Sequence, residues 1–184
     1  PMLRRFIFLA FGIFHLFACN AAKTISIDAL VDVSPGVTSH FLFPTSGSNA
    51  EAYLIKPAGP GPFPLMILLH GHTLGGAIGA VSMLPEAEAF ASALCYAGLA
   101  VSLPGYGATE VPAGADSKTT LDVILDAASL VKKLPWIDSK RSYLYGFSRG
   151  AFVTSLLASR IEGIAGVILQ SGPYDLNRFY EESP

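Results

Sequence analysis

Leu144-Tyr145-Gly146-Phe147-Ser148-Arg149-Gly150-Ala151 is the stretch around which the rest of the chain is organised. It has the form G-x-S-x-G between an apolar run and an amphipathic one. A strand is predicted over about 142–145, and a helix that opens at Ser148 or Arg149 runs towards Arg160. Between them the backbone must reverse so sharply that Ser148 is expected in a strained conformation. Gly146 and Gly150 flank it because a Cβ at either place would press on the neighbouring turn. The serine hydroxyl then stands at the mouth of a sheet, over a helix N-terminus that favours developing negative charge. Such a strand–turn–helix corner is the setting of a nucleophilic serine.

Working outward, residues 65–69 form a continuous apolar run bounded by turn signals, as expected of a strand buried on both faces. His70-Gly71-His72-Thr73-Leu74-Gly75-Gly76 follows it directly. A helix is expected over about 85–97, with Pro85 in its first turn and Gly98 as its cap. Residues 99–103 read as the next buried strand, ended by Pro104-Gly105-Tyr106-Gly107. A helix over about 117–134 carries an apolar face of Leu121, Ile124, Leu125, Ala128 and Val131 and stops at Pro135. The helix after Ser148 buries Phe152, Val153, Leu156 and Leu157, and 164–169 is a last buried strand. Strands and helices alternate from Leu65 onward, which predicts an α/β fold whose sheet is mainly parallel with helices on both faces. Upstream, 37–43 and 51–56 alternate as a hairpin should, and 24–33 reads as a short outer strand.

The 184 residues suffice for one domain with a good core. Twelve basic against 14 acidic residues give a net charge of −2, and no basic tract points to nucleic acid. Mean hydropathy is +0.48, high because the N-terminus is apolar. Arg4 and Arg5 precede an apolar run over 6–18, too short for a usual membrane span. Residues 1–22 are therefore expected to be an export signal, leaving 23–184 as the domain. Leu16-Phe17-Ala18-Cys19 resembles a lipobox, which makes Cys19 a candidate lipid anchor. The alternative is a simple secretory peptide cut near Ala18 or Ala22. Cys95 lies in an apolar helical pattern and is expected to be a buried, inert thiol. No cysteine cluster offers a metal site, and neither metal nor cofactor is expected.

A serine attacking a carbonyl needs a base, a group that orients the base, and donors for the oxyanion. The amide of Arg149 follows the nucleophile and opens a helix. The His70-Gly71-His72 loop is expected to supply the second donor, through the amide of His72. The Arg149 side chain either adds positive charge near the substrate or pairs with a surface acid. Tyr106 lines the pocket or packs under its loop, and His70 is expected as a packed, hydrogen-bonded loop residue.

Over most of its length the chain resembles the α/β-hydrolases. His70-Gly71-His72, Pro104-Gly105-Tyr106-Gly107, and Trp136-Ile137-Asp138 leading through Arg141 to the serine motif carry the likeness, which is nearest to the prolyl oligopeptidase and dienelactone hydrolase branches. The resemblance implies a cofactor-free serine hydrolase that cleaves a small-molecule ester or peptide through an acyl-enzyme on Ser148. It also implies the order serine, acid, histidine. His15, His40, His70 and His72 all precede Ser148. The acid and histidine are therefore expected beyond Pro184, and the last strands of the fold are expected to be missing. Asp175 is the one candidate acid in hand, and it reads better as the cap of a following helix. A second reading from another class is a non-catalytic exported binding protein, anchored by its N-terminus, that keeps the fold without the chemistry.

Overall fold

A computed structural model describes residues 26–73 and 78–175. The leader over 1–22, with Cys19, lies outside them, as does the helix that Asp175 was expected to cap. Six strands form one sheet: β1 (Thr38–Thr45), β2 (Ser48–Ile55), β3 (Phe63–Leu69), β4 (Ala97–Val101), β5 (Ile137–Phe147) and β6 (Ile164–Gln170). Three α-helices accompany them: α1 (Leu84–Leu94), α2 (Ser117–Val131) and α3 (Arg149–Leu157).

The strand order is β1-β2-β4-β3-β5-β6. β1 and β2 form the expected hairpin, antiparallel with Thr45 opposite Ser48. Its two-residue turn has φ of 47° at Ser46 and 76° at Gly47. Two positive φ values match the turn to the right-handed twist of the strands it joins. β2 runs antiparallel to β4. From there β4, β3, β5 and β6 are parallel.

Alternation along β3 explains the layers. Leu65, Ile67 and Leu69 join Leu99, Val101 and Leu144 under α2 and α3, which contribute Leu121, Ile124, Val131, Val153 and Leu157. Met66 and Leu68 face the other way, with Ala100 and Tyr145, under Met83, Ala87 and Ala91 of the α1 side. Both faces of β3 and β4 are thus covered, which is why those two strands are apolar throughout. At the β6 edge the cover is thinner: Val167, Ile168 and Leu169 are 39%, 44% and 42% exposed.

Several expectations are corrected. Residues 27–30 form a short 3-10 helix, not a strand; the Trp136 indole N–H donates to the Val31 carbonyl at 3.1 Å and fixes that segment from far along the chain. α1 stops at Leu94, and its cap is Cys95 in the left-handed region at φ 56°. Cys95 is therefore exposed, not buried. Gly98 lies inside β4, where a Cβ would come within 2.9 Å of Ala87 Cβ; it permits helix and strand to approach. The last of the corrected bounds is that of α3, which ends at Leu157 rather than near Arg160. α2 opens on Asp116, whose side chain accepts from the Thr119 amide at 2.7 Å and satisfies a first-turn donor. Among the described residues no helix is long and apolar enough to cross a membrane.

Candidate active site

β3 and β5 are adjacent and parallel, with Leu69 opposite Gly146. The loops that leave their C-terminal ends are therefore neighbours, at the edge of the sheet where ligands of open parallel folds bind. One loop is His70-Gly71-His72-Thr73 and the other is the corner at Ser148.

Ser148 has φ 52° and ψ −118°, outside the regions comfortable for a residue with a side chain. Such a conformation costs about 1–3 kcal/mol and survives only where neighbours over-determine it. Three contacts do so. The Ser148 amide donates to the Gln170 carbonyl at the end of β6, 2.8 Å away. A Cβ on Gly146 would fall 2.4 Å from Thr154 Oγ1 and 2.5 Å from the Gly150 carbonyl oxygen. One on Gly150 would fall 2.2 Å from the Leu69 carbonyl oxygen. The first turn of α3 can press against the ends of β3 and β5 only because both positions are glycine.

The corner leaves the serine half-buried, at the N-terminal end of α3. Its carbonyl accepts from Ala151 at 3.0 Å and starts the helix. The amides of Arg149 and Gly150 belong to the first turn, where the helix itself has no carbonyl for them. On the other side stands Gly71: a Cβ there would lie 3.1 Å from Ser148 Cβ. The loop after β3 is thus packed against the serine, and His72 is the next residue along it.

His70 is fully buried. Its Nε2 accepts from the Leu103 amide at 3.0 Å, so its Nδ1 carries the proton and donates to the Gly71 carbonyl at 2.7 Å. Burial pushes the imidazole below its ordinary pKa, and the Arg149 charge acts the same way, against the pull of the Gly71 carbonyl. His70 is thereby a neutral clamp between two loops, and neither nitrogen is available to a substrate. His72 is exposed, and its Nδ1 is hydrogen-bonded to the Tyr106 hydroxyl.

Tyr106 is the residue that sequence reasoning undervalued. Its ring is buried beneath the loop, edge-on to His70 at 4.8 Å. Its hydroxyl meets His72 and also accepts from Arg149 Nη1 at 3.1 Å. The guanidinium sits 5.5 Å from the Tyr106 ring centre. Arg149 can only donate, so the Tyr106 oxygen accepts from it and leaves the hydroxyl proton for His72 Nδ1. Among the described residues no carboxylate pairs with Arg149.

A second network holds the loop that carries Tyr106. The Glu51 carboxyl, 4% exposed, accepts from Ser102 Oγ at 2.6 Å and meets His40 Nε2 at 2.8 Å. Tyr53 donates to it at 3.3 Å, and burial followed by the Glu51 charge pushes the Tyr53 phenol up to about 12. Ser102 in turn accepts from the Ala80 amide at 2.7 Å, and Thr109 Oγ1 accepts from the Glu51 amide at 3.0 Å.

Asp175 lies in the exposed segment after β6, past Ser171 at φ 55°. Among the described residues no histidine is hydrogen-bonded to the Ser148 hydroxyl, and no group of three His, Cys, Asp or Glu could hold a metal ion.

No family model matches the chain, and no curated protein matches it. Solved structures do. An esterase of Pyrococcus furiosus superposes with a TM-score of 0.64 at 19% identity, over 80% of this chain and 56% of that one. A proline iminopeptidase of Mycobacterium smegmatis gives 0.60 at 18%, over 78% and 47%. An α/β-hydrolase of Penicillium gives 0.57 at 22%, over 71% and 44%. This chain therefore has the α/β-hydrolase fold, and it spans about half the length of those structures.

Proposed function

We propose that the protein is a serine hydrolase that cleaves an ester or peptide bond through an acyl-enzyme on Ser148. The observation that carries this reading is the strained corner at φ 52°, kept in place by two glycines, beside a glycine of the neighbouring loop. Strain of this kind clusters at functional sites, and here it sets the serine Cβ against Gly71 of the neighbouring loop.

In the reaction, Ser148 Oγ bonds to the substrate carbonyl carbon as its proton passes to a base. The carbonyl oxygen becomes an oxyanion, which the amides of Arg149 and His72 receive; losing one such donor typically costs about 3 kcal/mol in the barrier. The carbon–leaving-group bond then breaks, and the leaving group takes the proton from the base. Water, deprotonated by the same base, releases the acid and returns the proton to Ser148. His70 is spent on the Leu103 amide and the Gly71 carbonyl. We assign the base to a histidine, with its orienting acid, in chain that follows β6. The leader over 1–22 supports an exported enzyme, with Cys19 as its lipid anchor.

The test is turnover of 4-nitrophenyl butyrate by the full-length protein and its Ser148→Ala variant. Loss of at least about a thousandfold in kcat on removing the serine is expected. Equal rates would exclude Ser148 as the nucleophile.

A further inference from the structure

The Arg149 guanidinium has two neighbours of unlike kind. Towards the corner it touches Tyr106 and adjoins Ser148 in the chain. Arg149 also lines a cleft of about 120 Å³ between α2 and α3, with Ser117, Thr120, Leu121, Phe152 and Leu156. Phe152 and Leu156, on the predicted apolar face of α3, are only partly buried, and both line this cleft. A cation on the residue after the nucleophile, beside a cleft with apolar and hydroxyl walls, suits a short chain that carries a negative charge.

The chemistry of the cation supports this. Guanidinium has five N–H donors in a planar fork that matches a carboxylate. Tyr106 takes one of them, and its ring centre lies 5.5 Å from the guanidinium carbon. No carboxylate of the described residues takes the rest. Arg149 also lies at the first position of α3, where the helix dipole adds to its attraction for an anion. The cleft has room for about four water-sized groups, hence for a short acyl arm.

We propose that Arg149, oriented by Tyr106, is a carboxylate subsite, and that the protein prefers esters whose short acyl arm ends in a carboxylate, such as hemi-esters of four- or five-carbon dicarboxylic acids. This rests on the hydrolase reading above and names its substrate class. The acyl carbonyl lies at Ser148 and the carboxylate on the guanidinium of the next residue, beside the α2–α3 cleft.

The experiment has two readouts on the full-length protein. The first compares kcat/KM for mono(4-nitrophenyl) glutarate and for 4-nitrophenyl butyrate. The charged ester is expected to be favoured by about tenfold or more, with Arg149→Gln collapsing the ratio and Arg149→Lys keeping part of it, since lysine has the charge without the fork. The second is calorimetric binding of glutarate to Ser148→Ala, which needs no catalysis. Binding is expected there, and neither in the Ser148→Ala, Arg149→Gln double variant nor with butyramide in place of glutarate. An unchanged ester ratio in Arg149→Gln, or no glutarate binding to Ser148→Ala, overturns the subsite. If Ser148→Ala turns over both esters normally while glutarate still binds through Arg149, the hydrolase reading fails and the subsite stands.

Discussion

Gly71 lies against Ser148 so closely that a Cβ on the glycine would come within 3.1 Å of Ser148 Cβ and 3.0 Å of the Phe147 ring. The loop after β3 and the corner after β5 thus share one wall, and in the proposed reaction their spacing sets the place of the oxyanion. Gly71→Ala should push the two apart by a few tenths of an ångström. We expect kcat to fall by roughly ten- to a hundredfold, because small misplacements near reacting atoms are costly. Steady-state kinetics on 4-nitrophenyl butyrate, beside a thermal melt showing the fold intact, would check it.

The strained backbone at Ser148 has an opposite signature in stability and in activity. Glycine adopts a positive φ without penalty, so Ser148→Gly should abolish turnover and stabilise the fold by about 1 kcal/mol. A urea titration reads the second effect as a raised midpoint at constant slope. A lowered midpoint would mean that the hydroxyl contributes more to folding than its conformation costs.

Glu51 is buried among polar groups of three segments: its carboxyl meets His40 of β1 and Tyr53 of β2 as well as Ser102, at the head of the loop over 102–109. Truncation to alanine leaves Ser102 and Tyr53 without their acceptor. We expect Glu51→Ala to cost about 3 kcal/mol and Glu51→Gln distinctly less, since the amide keeps an acceptor oxygen. Because that loop carries Tyr106, Glu51→Gln should also raise KM for mono(4-nitrophenyl) glutarate more than for the neutral ester. Urea midpoints and paired KM values would show both.

His70 makes stability depend on pH. Burial lowers its pKa in the folded protein, so the folded state binds that proton less readily than the unfolded chain. The stability it contributes is complete above about 6.5, the unfolded value, and is lost as pH falls from there through the folded value. His70→Asn cannot take up the proton and should flatten this acid slope, while lowering stability at neutral pH. Urea midpoints measured across that window for both proteins would separate the two effects.

Much of this arrangement is legible in the sequence. The apolar runs of β3 and β5 and the glycines at 146 and 150 place the corner, because each rule involved is local: burial on both faces, or a steric need for no side chain. The misreadings are where distant parts decide. Gly98 looks like a helix cap, yet its missing Cβ serves Ala87 of α1, while Cys95 takes the left-handed turn, its amide donating to the Phe90 carbonyl. Residues 27–30 alternate like a strand, but Trp136 holds them as a 3-10 turn. Tyr106 gains its place from His72 and Arg149, which lie in two other segments, and no local pattern announces that meeting. The Pro-Gly-Tyr-Gly turn that follows a buried strand was the one available signal.

The proposed chemistry turns on a single hydroxyl. Treating the full-length protein with a fluorophosphonate and mapping the adduct by peptide mass spectrometry tests it most directly. The account requires one adduct, on Ser148, absent from Ser148→Ala and absent after unfolding in urea. A folded protein that takes up no probe, or takes it up on another residue, would contradict it.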